Sequence, residues 1–573
     1  MRVVLVLLMA STAHAGDVVR LSKDNWSRAP KGKEADAIYG DWLLANDRVL
    51  VVVADPVQGR NASDSVKDAG GAIIDFTFKD APNDQLSGFI PGLRSYRKLE
   101  ILSASGPTVA VRLTGPQRDG VTVETTYELS DGCAHVVVKT TWTNVIKAPT
   151  TLRIADKLRC DETFLRSPAG ETRLVWAYDR WFKQAYGVRG DAGPVTTDGT
   201  WGGMFGPNSG TFLDYAREKT LRPGERVEVV RAFFVGRHMQ DVAAAAAPHK
   251  TTAVVLRDPD GPVTDAFVAV RRDGTPVAYA HPDEAGRLEL PEGALTIESP
   301  GRPTLETPLK AVVDLPAPTR VRFEVKDGDG APSPCKVQFI GKKDTPTPDL
   351  GPPQRARGCT NLWYDGPVPF TVPVPAGDYL VILSRGPAYD AVYRTVKLEP
   401  GVETRLSATL KRVVRHEGWI SADFHNHSTE SGDNVTEIEG RILNLIGEGV
   451  EFAPCTEHNR VQSYRPWLKS MGLEKYLATS DGIELSGSPF ELNHQNAFPI
   501  ELQFGKQDNG GPRPSKDPAE SIRRLAEWDE KSRKLVQQNH PDFGALYRDK
   551  DGDGRADDGH DVLRWTDVIE VFK

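Results

Sequence analysis

The chain has 573 residues, which at about 100–200 residues per domain makes roughly three to five domains. With 26% charged and 39% hydrophobic residues, 52 Gly and 42 Pro, the composition is globular and turn-rich, neither disordered nor fibrous. The 71 Lys and Arg against 79 Asp and Glu leave a net charge of −8 with no basic block, which argues against nucleic-acid binding and against a role on an anionic membrane surface.

The first fifteen residues read as an address. Arg2 gives a positive start, residues 3–10 form an apolar run too short to span a bilayer, and Ala13-His14-Ala15 is a small-x-small site. A secretory signal peptide cut after Ala15 is expected, with the bacterial periplasm as destination. In an oxidising compartment Cys133 with Cys160, and Cys335 with Cys359, could each form a disulfide. Cys455 has the apolar neighbours Phe452, Ala453 and Pro454 and reads as a buried small hydrophobe.

Residues 16–245 alternate in short apolar–polar runs, with strands expected over 48–53, 72–78, 108–113, 121–129 and 136–142, and turns of Gly, Pro, Asn and Asp between them. That spacing predicts a large antiparallel sandwich. The run Gly40-Asp41-Trp42-Leu43-Leu44-Ala45-Asn46-Asp47-Arg48, followed by Gly70-Gly71-Ala72-Ile73-Ile74-Asp75, resembles the opening of the galactose-mutarotase-like supersandwich. In other proteins this fold binds or epimerises sugars; no His/Glu arrangement here reads as a mutarotase site, so a positioning module is expected, with a carbohydrate contact through this sandwich left open. Residues 241–249, with five consecutive Ala and then Pro-His, predict a short helix and a domain boundary. Two small β-sandwiches are expected over 250–315 and 318–412. In the second, Pro375-Ala376-Gly377-Asp378-Tyr379-Leu380-Val381 resembles Ig-like domains of the carboxypeptidase-regulatory type.

Period and composition change near Gly418. Residues 435–447 predict a helix, with Ile438, Ile442 and Leu445 at helical spacing and Thr436 and Glu439 as a capping box. Residues 450–454 predict a strand. Asp517, Pro518 and Glu520 open another helix as N-cap, N1 and N3. Strands follow over 535–539 and 567–572. Strands alternating with helices predict parallel pairing, in a barrel or a doubly wound sheet.

The chemistry gathers in this last region. Of twelve His in the chain, five fall in six short clusters with carboxylates and amides, and four of these clusters follow an expected strand or stand at its end. The six are Asp423-Phe424-His425-Asn426-His427 with Ser431-Gly432-Asp433, then Thr456-Glu457-His458-Asn459, Gly482-Ile483-Glu484, Asn493-His494-Gln495-Asn496, Asn539-His540-Pro541 and Asp567-Val568-Ile569-Glu570. On a strand, His425 and His427 would point to one side and could share a metal. Imidazole mixed with carboxylate suits Zn, Mn or Fe rather than the all-oxygen preference of Ca or Mg.

In this order the motifs resemble the PHP (polymerase and histidinol phosphatase) metallohydrolases, and within them the secreted CehA/McbA-like subgroup, over residues 418–573. The resemblance implies a distorted (βα)7 barrel holding two or three divalent transition-metal ions. It implies His425, His427, Asp433, His458, Glu484, His494 and His540 as ligands, and Asp423 as a group orienting the His pair. It also implies attack on a phosphoester by a metal-bound hydroxide, with His458 or Glu457 as a proton shuttle. Carbamate, amide or ester hydrolysis at the same centre is the rival expectation within the enzyme class. A carbohydrate-binding protein with a degenerate barrel is the expectation outside it. The family has Asp where Glu457 stands, and its last strand carries an Asp-x-His pair; the sequence reaches Glu570-Val571-Phe572-Lys573 just where that strand should begin, so an incomplete barrel and metal set are expected on this chain.

Asp549, Asp551, Asp553, Gly554 and Asp557 match positions 1, 3, 5, 6 and 9 of a calcium loop, but His560 stands at position 12 in place of the bidentate Glu. A structural Ca²⁺ and a solvated acidic turn are both open readings there.

Overall fold

The computed structural model describes residues 16–63, 66–191, 193–197, 210–414, 417–530, 533–549, 551–554, 557 and 560–571. The signal peptide expected over 1–15 lies outside the described residues. The chain is mostly β-sheet, arranged as successive sandwiches.

The N-terminal unit packs a ten-stranded sheet against an eight-stranded one. The expected strands are present as Val49–Val53, Ile73–Phe78, Thr108–Thr114, Val121–Ser130 and His135–Asn144. Side chains alternate along them, so Val123, Tyr127, Leu129, Val136, Val138 and Trp142 all enter one core. Between the sheets Arg231 grips Asp156 with two contacts of 2.7 Å, both side chains fully buried.

The helix Met239–Ala246 closes this unit, and its apolar face shares a core with Val254, Leu256 and Val268 of the next sandwich. That sandwich pairs two four-stranded sheets. The third builds its core from Val321, Phe323, Val337, Phe339 and Val381, on sheets of three and five strands. Its Ala356 and Tyr364 pack in turn on Ile438, Ile442 and Leu445 of the C-terminal unit.

All five cysteines are free thiols, so neither expected disulfide forms. Cys335 and Cys359 lie on strands separated by Leu362–Asp365, two strand spacings of about 4.8 Å and beyond the Cα reach of a disulfide. Cys133 sits in the turn after Val121–Ser130 in one sheet, while Cys160 follows Thr150–Arg159 in the other.

The C-terminal unit corrects two sequence expectations. The helix begins at Ile438, with Glu437 rather than a Thr436 capping box at its start. The Thr436 hydroxyl instead donates to Gln354 O of the preceding sandwich. The pairing is mixed rather than parallel throughout. Phe452–Cys455 pairs in parallel with Ala478–Asp481. A separate four-stranded sheet then joins Ile483–Ser486 and His494–Phe498 antiparallel, His494–Phe498 and Leu535–Gln538 antiparallel, and Leu535–Gln538 and Val568–Ile569 parallel. The connection over 487–493 is too short for a helical crossover, which forces a hairpin. Among the described residues these two sheets do not close into a barrel. The helix Pro518–Glu527 starts as expected, with Asp517 accepting from Ala519 N.

The first and last units meet along a seam of paired charges. Lys33 is buried between Glu34 and Asp161, 2.5 Å from each, and its Nζ reaches Thr429 Oγ1 at 3.4 Å. Arg460 holds Asp36 and Glu430, each at 2.7 Å. Asn61 and Gln507 exchange two hydrogen bonds of 3.1 Å. Among the described residues no helix is long and apolar enough to cross a membrane.

Candidate metal centre

Alternation along one strand builds the centre. In Ile483–Ser486, Ile483 and Leu485 enter an apolar core with Ile522, Leu525 and Val536. Glu484 and Ser486 therefore face the other way. There Glu484 Oε2 stands 2.8 Å from His458 Nδ1, and Ser486 Oγ stands 2.5 Å from the same nitrogen. The hairpin partner His494–Phe498 sets His494 opposite Ser486, with its Nδ1 3.0 Å from Glu484 Oε1.

The other donors arrive from loops at strand ends. His458 follows Phe452–Cys455 and is fixed by an isolated parallel bridge to Glu484. His540 follows Leu535–Gln538 with a φ of 25°, and its Nε2 lies 3.7 Å from Glu484 Oε1. The segment carrying His425 and His427 is not a strand; the nearest ladder contact is the single bridge of Ala422 to Phe452. The two imidazoles nonetheless converge, Nε2 to Nε2 at 2.9 Å, and stand 3.5 and 3.3 Å from Glu484 Oε2. Asp433 follows the left-handed Gly432 that closes the turn Thr429–Ser431, and its Oδ2 lies 3.1 Å from His458 Nε2.

All seven expected ligands thus come together. They form three overlapping groups whose donor atoms lie within 4.8 Å of one another: His425, Glu484 and His540; His458, Glu484 and His494; His427, Asp433 and His458. Glu484 and His458 are each shared by two groups.

The donor set fits divalent transition metals. Glu484 is fully buried, and its Oε2 has no hydrogen-bond partner among the described residues although three ring nitrogens crowd it. Asp433 Oδ1 and His540 Nδ1 are also without hydrogen-bond partners there. So many imidazoles around buried carboxylates require positive charge at their centre, from a proton or a cation. Burial pushes His427 down to about 4, keeping it neutral and able to ligate. Burial also opposes charge on His458, but Asp433 and Glu484 outweigh it and raise this group to about 10. Burial works likewise against the Glu484 carboxylate, yet His425, His458, His494 and His540 hold it well below the usual range.

A second layer holds these groups in place. Ser431 Oγ donates to Glu457 Oε2 at 2.5 Å, accepts from His458 N at 3.1 Å, and lies 2.7 Å from His427 Nδ1. A proton on that Nδ1 leaves Nε2 free for a metal. Glu457 belongs to this layer: its buried carboxylate takes Ser428 N, Ser428 Oγ, Ser431 Oγ and Cys455 Sγ as donors and so braces the loops. Asp423 is not among the clustered donors. It accepts from His425 N at 3.0 Å, orienting the backbone of the His pair rather than its rings.

Two contacts went unassigned in the sequence. Asn539 Nδ2 donates to Glu484 Oε1 at 2.9 Å. Glu570 Oε2 accepts from His540 N at 2.7 Å and lies 3.2 Å from His425 Nδ1. The available signals were the Asn-His pair itself and the last acidic cluster.

At the acidic loop Asp549, Asp551 and Asp553 are exposed and fall within 4.8 Å of one another, without Asp557. Asp549 already accepts from Gly552 N, Asp553 N and Gly554 N, as in a solvated turn. His560 opens the four-residue helix His560–Leu563.

No family model matches the chain, and no curated protein matches it. Among solved structures, it is similar to a TPR-domain-containing protein from Parabacteroides distasonis, at 14% identity over 35% of this chain and 47% of that one, TM-score 0.27. It is similar to a polysaccharide lyase at 13% identity, over 47% of this chain and 47% of that one, TM-score 0.25. It is also similar to a galactose mutarotase-like protein from Lactobacillus casei at 10% identity, over 34% of this chain and all of that one, TM-score 0.22. This chain spans about half the length of the first two.

Proposed function

We propose that the protein is a metal-dependent hydrolase acting on a phosphoester at the Glu484 centre. The observation that carries this reading is the buried Glu484 carboxylate, which stands among five imidazoles, those of His425, His427, His458, His494 and His540. The order of the motifs, similar to that of PHP hydrolases, supports the choice of phosphoester. His425, His427, Asp433, His458, Glu484, His494 and His540 would hold two or three ions of Zn, Mn or Fe. When bound, such ions acidify a water molecule and offset charge on phosphoryl oxygens.

The chain's own groups supply positioning. Ser431 sets the ring of His427 and the backbone of His458. Glu457 locks Ser428 and Ser431, and Asn539 holds one oxygen of Glu484. Glu570 clamps His540 to His425. In this reading Glu570 is also the group poised to hold a proton on His425 Nδ1.

The test is metal content and turnover of the purified chain and of the His425→Ala/His427→Ala double variant. Two or more transition-metal ions per chain, with p-nitrophenyl phosphate hydrolysis lost in the variant, supports the proposal. Turnover of 1-naphthyl N-methylcarbamate instead would move the substrate to a carbamate. A folded chain that takes up no metal would overturn the reading.

A further inference from the structure

Beside the charged seam lies a cleft of about 980 Å³ between the first and last units. That volume is at the upper end of the range for small-molecule sites, about 300–1,000 Å³. None of the seven metal-site residues lines it, so it is separate from the cluster. Thr429 and Arg460 do line it, each two positions beyond a metal-site His.

The lining sets the chemistry of an occupant. Aromatic faces come from both sides: Trp26 and Phe182 from the supersandwich, Trp467 and Phe504 from the metal-bearing unit. Trp26 meets Phe504 edge-on, with ring centroids 5.1 Å apart, which carries the aromatic wall across the seam. Phe504 remains 53% exposed. Six Lys or Arg face six Asp or Glu in the lining, so the cleft selects neither an anion nor a cation. Six Asn and Gln add paired donors and acceptors. One of them, Gln85, is fully buried. Its Nε2 donates to Asn83 Oδ1 at 3.0 Å, while its Oε1 has no hydrogen-bond partner among the described residues. A buried acceptor left in this way calls for a donor from the ligand.

A molecule with apolar C–H faces, many hydroxyls that both donate and accept, and no net charge matches this lining. We propose that the cleft binds a neutral oligosaccharide, stacked on Trp26 and Trp467 and hydrogen-bonded to Gln85 Oε1, in a site distinct from the metal centre.

The experiment is calorimetric titration of the full chain with cellohexaose, xylohexaose, maltohexaose and chitohexaose, and with a charged galacturonic acid hexamer as control. At least one neutral hexamer is expected to bind with Kd below about 1 mM. Trp467→Ala and Gln85→Leu should each weaken it by about tenfold, with metal content per chain unchanged and Trp467→Phe retaining binding. No binding by any neutral hexamer, equal binding by both weakening variants and the parent, or preference for the charged hexamer would each overturn the proposal.

Discussion

Arg460 Nη2 and Asp36 Oδ1 stand 2.7 Å apart although 424 positions separate them in sequence. Arg460 is two residues beyond His458 and also holds Glu430, three residues beyond His427. The N-terminal sandwich therefore reaches both loops that carry the clustered imidazoles, Arg460 directly and Glu430 through it.

That grip is a stability prediction. Arg460→Met leaves the buried Asp36 and the half-buried Glu430 without their cation, and breaking a buried pair such as Arg460–Asp36 costs about 3–5 kcal/mol. Arg523→Met, which removes exposed helix pairs to Glu520 and Glu527, should cost far less, because those groups stay hydrated with or without their partner. Urea unfolding of the two variants compares them directly; equal midpoints would mean that the seam adds nothing.

At the centre, Glu484→Gln keeps the shape and removes the charge shared by two donor groups. Metal content after dialysis should fall by at least one ion per chain, measured by elemental analysis. Retention of the full complement would place the metals away from Glu484.

Ser431→Ala tests the supporting layer. It frees the His427 ring and removes an acceptor from His458 N while leaving every ligand in place. Loss of such a partner weakens metal binding by about 10–100-fold. Competition against a chelator reads this directly, and an unchanged affinity would deny Ser431 a positioning role.

His281 bridges the first two units, with Nδ1 2.7 Å from Ala266 O and Nε2 2.8 Å from Arg180 O. Burial, with Lys183 nearby, outweighs these carbonyls and lowers the group to about 4. A His with a lowered folded value contributes stability that is complete above about 6.5 and is lost as pH falls through 4. The shift corresponds to about 3 kcal/mol. His281→Gln should flatten the dependence of unfolding free energy on pH between 6.5 and 4; an unchanged slope would remove His281 as its source.

Much of this architecture was legible because alternation is a local signal. Val121–Ser130 and His135–Asn144 show it directly, and Ile483-Glu484-Leu485-Ser486 shows it at the centre, where the two apolar residues determine which way Glu484 must face. The seven donors could be named because their motifs, in order, resemble those of the PHP hydrolases, although His425 and His427 do not lie on the expected strand. Other features depend on distant chain. The Thr436 hydroxyl goes to Gln354 O, 82 positions away, so no local capping rule could place it. Glu570 acquires its role only when Val568–Ile569 pairs beside Leu535–Gln538. The parallel expectation failed at two places: over 487–493, where the connection is too short for a helical crossover, and between His494–Phe498 and Leu535–Gln538, which pair antiparallel although the helix Pro518–Glu527 lies between them.

The seam of Lys33, Glu34, Asp161, Arg460, Asp36 and Glu430 also bears on heat. Charged groups lose hydration free energy as temperature rises, so the cost of keeping them out of water shrinks, while apolar burial gains little more per unit area. Warming should therefore loosen the sandwich cores before it loosens this junction, and the loops beside the candidate metal centre would be among the last parts of the molecule to come free.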